Sequence, residues 1–427
     1  MNGGLSMAVA TFPGSNINLV KAHNQQAVLL SLLHDKHLSR VELAEKTGLS
    51  TTTITNLITE LMGMGIVTDK DTQLQGKPRK VGRPRTALRL IPNARYAIGV
   101  HIGIGMFRVA VVNLCAEILH SAIHTFALET PASQVLDQMI EAIETVISQS
   151  GIERNRLIGL GVGASGLVNY KTGVNILAPN LGWRDVPIRE HIAARLKIPV
   201  VVDNNVRSMA LGEAFFGLGR SAEMLAFVYG RIGVGAGFVF GGNVYRGCET
   251  GAGEIGHMIM VPDGGELCRC GKRGCLETLI SEPVIIRQAT LLARREPNNV
   301  LAKKLRQDDG GRLIDQIFKA ARNGDDPTRE MIIERAYYLG LALANLVNIL
   351  NPELILLGGM FAQGQDLILP TAKGTMRKLA FAGLGDRVRV ETTGFGWRAG
   401  VIGASALALT DFFYQRTTPI QDLTHPG

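Results

Sequence analysis

The segment YAIGVHIGIGMFRVAVVNL, residues 96–114, reads as strand, glycine turn, strand, and LAFVYGRIGVGAGFVFGG, residues 225–242, repeats the device. Lining up Ile102-Gly103-Ile104-Gly105 with Ile232-Gly233-Val234-Gly235 sets two glycine-turned hairpins 130 residues apart. This repeat constrains the fold more than any other feature. It predicts two similar α/β lobes, each led by a meander, with a cleft between them. A third strand near residues 117–126 and a helix over residues 133–148 complete the pattern in the first lobe. Glycine turns of this kind bring backbone N–H groups against a phosphate, or serve only as tight turns, and glycine alone does not separate the two.

Polar residues fall where such lobes place ligands. KIPVVVDNNVRSMALGE is a buried strand running into a helix, which leaves Asp203, Asn204 and Asn205 at the strand's carboxyl end. GAGEIGH puts Glu254 and His257 at another turn, and CLET places Glu277 just after a cysteine. Carboxylates and amides without a nucleophile suit sugar hydroxyls, because each can accept or return a hydroxyl proton. GVGASG, Gly161–Gly166, matches the dinucleotide pattern GxGxxG, but the turn-forming LVNYKTG follows it. Without a helix N-terminus that reading fails.

His257, Cys268, Cys270 and Cys275 lie within twenty residues. One nitrogen and three thiolates make a closed tetrahedral set, which suits structural zinc and leaves no open position for an activated water. The alternative is a cluster of free thiols. A zinc finger is excluded, since no second ligand pair stands at finger spacing.

The front of the chain differs in charge and in period. Residues 1–90 hold 11 Lys+Arg against 6 Asp+Glu, more than half of the chain's formal net charge of +8. Such asymmetry points to a nucleic-acid module ahead of a nearly neutral body. Apolar residues recur at helical spacing through Val28, Leu29, Leu32 and Leu33. A second helix follows Ser39, with Glu42 as its capping-box partner, and ends near Gly48. Ser50 caps a third, whose stripe Ile54, Leu57, Ile58 and Leu61 faces inward while Thr51, Thr52, Thr55 and Asn56 face outward. That is a helix-turn-helix with small polar groups suited to base edges and phosphates of double-stranded DNA. GIVTDK and TALRLI pair as a wing. Its basic loop, with Lys80, Arg83 and Arg85, has the flat, extended character of a minor-groove arm.

Other classes are set aside. The apolar run from Tyr337 to Phe361 is broken by Asn345, Asn348 and Asn351-Pro352-Glu353, so it reads as buried helix, turn and strand rather than a membrane span. MNGGLSMAVATFPGS has no basic leader, and five cysteines, three of them clustered, fit a reducing cytoplasm.

GAGEIGHM, CRCGKRGCLET, LGE at Leu211–Glu213 and NPELILLGG together resemble the ROK family of repressors, open reading frames and kinases. The resemblance covers the chain from about Tyr96 to its last helix. With the winged helix-turn-helix in front, the whole chain is similar to the regulator branch that includes repressors of xylose and N-acetylglucosamine genes. It implies an actin-like, ribonuclease-H-like two-lobed body over residues 91–427 behind a DNA-binding domain over residues 1–90, with the last helix packed back on the first lobe. It also implies a carbohydrate site of Asn180, Asn204, Glu254, His257 and Glu277, with Asn205 able to hydrogen-bond a hydroxyl. His257 then both holds zinc and touches the sugar. Kinases of the family have Asp-x-Gly-Gly-Thr where this chain has His101-Ile102-Gly103-Ile104-Gly105-Met106, and an aspartate base at the position of Asn205. Ile232 also replaces a threonine in the second hairpin. These departures favour a sugar-responsive regulator, a homodimer or homotetramer on operator DNA, without kinase activity. The other reading is an ATP-dependent sugar kinase with a DNA arm, in which Asp203 takes over as base.

Overall fold

The structure is a computed structural model and describes residues 16–35, 37–69, 87–248, 250–306 and 312–420. Described residues up to Ala94, together with those from Thr410 on, form one compact unit, and Arg95–Leu409 form the other.

In the first unit, helix α1 (Ile17–His34) begins where the Asn16 side chain accepts from Leu19 N. Helix α2 (Arg40–Thr47) has the full capping box between Ser39 and Glu42 and ends at Gly48 in the left-handed region. Helix α3 (Thr51–Gly63) starts at Ser50, whose hydroxyl accepts from Thr53 N at 3.1 Å. Such caps satisfy amides that the first helical turn cannot, and each is worth about 1 kcal/mol. Val28, Leu29, Leu43, Ile54, Ile58 and Leu61 close a core between the three helices. Strands β1 (Val67–Thr68) and β2 (Arg89–Leu90) pair antiparallel, and Leu38 bridges Leu88 beside them.

The family resemblance places everything after residue 90 in the body. The structure instead gives the described residues from Thr410 onward to the DNA-binding unit. Ile420 is buried there and its N–H donates to Oε1 of the buried Gln25 at 2.8 Å, while Arg416 O accepts from Gln26 Nε2. A polar pair of glutamines on an otherwise apolar helix face is the only local sign of that docking.

The body is two five-stranded sheets of one design. In the first lobe β3 (Tyr96–Gly103), β4 (Met106–Asn113) and β5 (Ile118–Thr125) form an antiparallel meander. Helix α4 (Ala132–Ser150) then leads to β6 (Leu157–Ala164), parallel to β3. A small sheet of β7 (Leu167–Asn169), β8 (Val174–Ala178) and β9 (Trp183–Val186) follows, then α5 (Ile188–Leu196) and β10 (Val200–Asn204), giving the order β10-β6-β3-β4-β5. Helix α6 (Asn205–Phe216) crosses to the second lobe. There β11 (Met224–Gly230), β12 (Val234–Phe240) and β13 (Asn243–Tyr245) make the second meander. After α7 (Glu277–Ile280), α8 (Glu282–Arg295), α9 (Val300–Arg306), α10 (Leu313–Arg322) and α11 (Asp326–Leu350) come β14 (Leu354–Gly359), α12 (Met360–Gln363), α13 (Gln365–Leu379), α14 (Leu384–Arg387) and β15 (Arg389–Thr392). The order β13-β12-β11-β14-β15 repeats the first sheet strand for strand.

The two hairpins are equivalent but not at the residue step that the glycines suggest. Gly103 pairs with Met106 across a two-residue loop, whereas Gly230 pairs with Val234 across Arg231, Ile232 and Gly233. The extra residue lets the backbone fold on itself, Arg231 N donating to Gly233 O at 2.9 Å.

Helix α15 (Ala399–Leu409) is buried on all sides and packs on β3, β6 and α6. Close approach is possible because a Cβ on Gly161 would stand 1.9 Å from Ala404 O, and one on Gly212 of α6 would stand 3.0 Å from Gly403 Cα. Its one polar side chain, Ser405, donates back to Val401 O at 2.8 Å, so the helix has no solvent face to offer and ends inside. Among the described residues no helix is long and apolar enough to cross a membrane.

Candidate carbohydrate cleft and metal cluster

The carboxyl ends of β3, β6, β10 and β11 open on one cleft of about 460 Å³. Asn180, Asn204, Asn205, Glu254, His257 and Glu277 all line it, as do His101, Ser165, Tyr229, Arg231 and Arg269. The fold therefore brings every predicted sugar-site residue to a single cavity.

Their side chains are not equally available. Asn204 is the N-cap of α6: its Oδ1 accepts from Val206 N at 2.8 Å and Arg207 N at 3.1 Å, and its Nδ2 donates to Gly166 O. One Nδ2 hydrogen is all it retains for a ligand. Asn205, the next residue, donates from Nδ2 to Ser165 Oγ at 3.1 Å. Asn180 Oδ1 accepts from Arg269 Nη1, an arginine within the cysteine loop that the sequence reading passed over. Glu277 anchors the second glycine turn, its Oε2 accepting from Val234 N at 3.0 Å. Glu254 faces the open cleft and is enclosed by protein on its other sides. That burial raises its carboxyl above the ordinary value, against the pull of His257 and Arg207, and Glu277 pushes in the same direction as burial.

Asp203 does not enter the cleft. It is fully buried, with Oδ1 accepting from Asn204 N at 2.7 Å and Arg207 Nε at 2.8 Å, and Oδ2 accepting from Arg246 Nε at 2.8 Å. Arg246 in turn lies 3.7 Å from the Tyr170 ring centroid. Both of its oxygens are thus taken up by guanidinium groups and a backbone amide.

His257, Cys268, Cys270 and Cys275 converge, their ligand atoms all within 4.8 Å of one another. Cys268 Sγ lies 3.7 Å from His257 Nδ1, and Cys270 Sγ lies 3.6 Å from Cys275 Sγ. A tetrahedron with metal–sulfur bonds of about 2.3 Å has edges of roughly 3.8 Å, so the donor set has the right size for a closed metal site. Short backbone bonds build the loop, among them Cys268 N to Lys272 O at 2.7 Å. Burial raises the Cys268 thiol, and burial with the neighbouring sulfurs pushes Cys275 up to about 12. Against burial, the Lys272 backbone and the Cys268 and Cys275 sulfurs hold the Cys270 thiol below its usual value, whereas the other two thiols resist ionisation unless a cation sits among them.

On α3, Ser50, Thr51, Thr52, Thr55 and Asn56 are exposed. Ser50 is engaged as the cap, and Thr55 Oγ1 donates back to Thr51 O at 2.7 Å. Lys80, Arg83 and Arg85 lie outside the described residues.

A two-lobed body with paired five-stranded sheets, a ligand cleft between them and a winged helix-turn-helix ahead is the architecture of a sugar-kinase-like regulator. Residues 97–411 match the ROK family, and residues 22–68 match the winged helix-turn-helix DNA-binding family. The chain belongs to the ROK family. It is 28% identical to the xylose repressor of Caldicellulosiruptor bescii over 407 residues, covering 93% of this chain and 98% of that protein. It is 34% identical to the glucokinase of Halalkalibacterium halodurans over 314 residues, which cover 73% of this chain and 94% of the enzyme. Among solved structures, a ROK family transcriptional regulator, a homologue of the Escherichia coli Mlc protein, superposes with a TM-score of 0.78 at 26% identity. That match covers 93% of this chain and 98% of the other. Similarity to the regulators runs through both units, whereas similarity to the kinase covers less of the chain.

Proposed function

We propose that this protein is a sugar-responsive DNA-binding transcriptional regulator, a repressor of carbohydrate genes, whose body binds its effector without phosphorylating it. It acts in the cytoplasm as a homodimer or homotetramer, presenting two recognition helices to operator half-sites. The observation that supports the reading is the pairing of a DNA head with a cleft that has no carboxylate where the family resemblance implies the kinases' base. Asn205 is an amide, and Asp203 is sealed between Arg207 and Arg246. Loss of a general base alone removes about 10²–10⁴-fold in rate.

In this reading Asn180, Asn204, Asn205, Glu254, His257 and Glu277 hold the sugar. Zinc, bound by His257 Nδ1 and the three thiolates, serves structurally by neutralising those thiolates. His257 thereby keeps Nε2 for a hydroxyl, and Arg269 reaches Asn180 from the same loop. Thr51, Thr52, Asn56 and the basic wing with Lys80, Arg83 and Arg85 contact DNA. Sugar must bind two states of the protein with different affinity if it is to change DNA binding.

Fluorescence anisotropy on operator fragments selected from random DNA, with and without a monosaccharide panel, tests this. A sugar is expected to shift operator affinity at least tenfold, and Asn56→Ala to weaken operator binding by about 1–3 kcal/mol. DNA affinity indifferent to every sugar that binds, or phosphorylated sugar formed from ATP at a sustained rate, overturns the reading.

A further inference from the structure

The edge strands β10 and β13 of the two sheets end against one another through a single side chain. Arg246, the residue after β13, donates from Nε to Asp203 Oδ2 at 2.8 Å on β10, and its guanidinium lies 3.7 Å from the ring centroid of Tyr170, in the turn between β7 and β8. Each end of this bridge is tied to a wall of the cleft. On the second lobe, β13 pairs with β12, and Ala236 N of β12 donates to Gly253 O at 2.7 Å, next to Glu254. A Cβ on Gly253 would stand 1.9 Å from Ala236 O, so that approach has no slack. On the first lobe, Asp203 Oδ1 accepts from Asn204 N at 2.7 Å, which fixes the strand end that presents Asn204 and Asn205.

From this arrangement we propose that Arg246 is a positioning residue of the sensor site. It pins the second lobe to the first through Asp203 and Tyr170, and so sets the spacing between Glu254 on one wall of the cleft and Asn204 and Asn205 on the other. The proposal rests on the carbohydrate reading of the cleft and adds what holds its two walls in register.

The chemistry of the bridge fits a pin that can be released. A guanidinium is flat, so it can bond a carboxylate from its edge while its face lies on an aromatic ring, which an ammonium does less well. The Asp203 side chain is fully buried, whereas that of Arg246 keeps 26% of its surface in solvent. Arg246 can therefore withdraw to water, and the buried carboxylate is not left unpaired when it does. Arg207 stays with Asp203, Nε at 2.8 Å and Nη2 at 2.7 Å from Oδ1, and its buried Nη1 has no hydrogen-bond partner, so this fork has a donor to spare. Arg246 does not itself line the cleft, and it acts only through the residues it holds. The other bridge between the lobes here, Arg269 to Asn180, differs in that both partners line the cleft and a ligand can part them. A ligand that touches both walls gains from a spacing fixed in advance, because less order is lost when it binds.

The test uses the full-length, metal-loaded protein with Arg246→Ala, Arg246→Lys and, as a variant that keeps the ring, Tyr170→Phe. Calorimetric titration with glucose and with xylose, well below the melting temperature, is expected to show a loss of about tenfold in affinity for Arg246→Ala. The loss should be partial in Arg246→Lys and absent in Tyr170→Phe, and added ethylguanidinium should restore binding to the alanine variant. Hydrogen exchange on the ligand-free variants supplies a second measurement: residues 203–207 and 251–254 should lose protection together, while β3 and β11 keep theirs. If Arg246→Ala does not fold, Arg246→Lys carries both measurements. Full affinity in the folded variants overturns the pin, as does an affinity that falls only in step with the melting temperature and is not rescued by ethylguanidinium. Protection lost on the Arg246 side alone also overturns it, since a local anchor does that. If the unmodified protein binds neither sugar, the carbohydrate reading is weakened and the joint loss of protection still decides the pin.

Discussion

The residues around Glu254 and those around His101 line one cavity but keep their chemistry apart. Around Glu254 stand amides, a carboxylate and a histidine of the His257, Cys268, Cys270 and Cys275 cluster, whose donor set could hold a metal ion. Around His101 stand arginines held beside an indole and a carboxylate, on the two glycine hairpins. One set is rich in amides and carboxylates, the other in guanidinium groups. The difference teaches that one cavity can carry two chemically distinct walls. In the proposed reading, the amide of Asn205 and the imidazole of His101 stand where the resemblance to the family's kinases implies acids.

The largest expected effect separates the two sets through the metal. Chelation, or Cys275→Ser, should unravel the loop of residues 257–275 and abolish sugar binding, lowering the melting temperature by roughly 10 °C for a loss of about 5 kcal/mol. Far-ultraviolet circular dichroism on the same sample is expected to keep most of its helical signal. If the body unfolds altogether, the two sets are one unit and the comparison fails.

Acid titration comes next. Burial depresses the folded-state value of His101 to about 4 from the ordinary 6.5. The unfolded chain therefore binds more protons between those limits, so stability is complete above about pH 6.5 and falls as pH drops towards 4. The difference is on the order of 3 kcal/mol. Urea midpoints across that range should show the slope, and His101→Gln should flatten it.

Glu254 titrates with the opposite sign. Its folded carboxyl is raised, so the folded state binds its proton more firmly and Glu254 favours folding as pH falls through that raised value. Sugar binding that uses the carboxylate as acceptor should weaken over the same interval. In Glu254→Gln the affinity for a neutral sugar is expected to drop about tenfold and to lose this pH dependence, consistent with removal of a charged hydrogen bond. Calorimetry at several pH values measures both, and an unchanged pH profile removes Glu254 from the sugar site.

Much of this was legible in the chain. The repeated hairpin indicated two lobes of one design, and the caps at Ser39 and Ser50 located two helices to the residue. The spacing of His257, Cys268, Cys270 and Cys275 described a cluster that the fold does assemble. Other features had no signal. Asp203 looked a fair substitute base, two residues before Asn205 on a strand, and only its pairing with Arg246 on a distant loop removes it. Arg231 and Arg108 are ordinary surface arginines in sequence, and the turn containing Arg231 is one residue longer than its glycines suggest. The docking of the segment from Thr410 to Ile420 on α1 was assigned to the wrong unit.

The division follows from range. Helix caps, amphipathic stripes, glycine turns and a ligand set confined to one loop depend on groups a few residues apart, so residue order alone determined them. The capture of Asp203 by Arg246, the burial of α15 against Gly161, and the meeting of His101 with Arg231 join segments far apart in the chain. Those depend on strand register and on how two sheets pack, and a change of one residue in register turns a side chain to the other face. The tertiary structure alone decided them, and with them which polar groups the cleft exposes and which it seals.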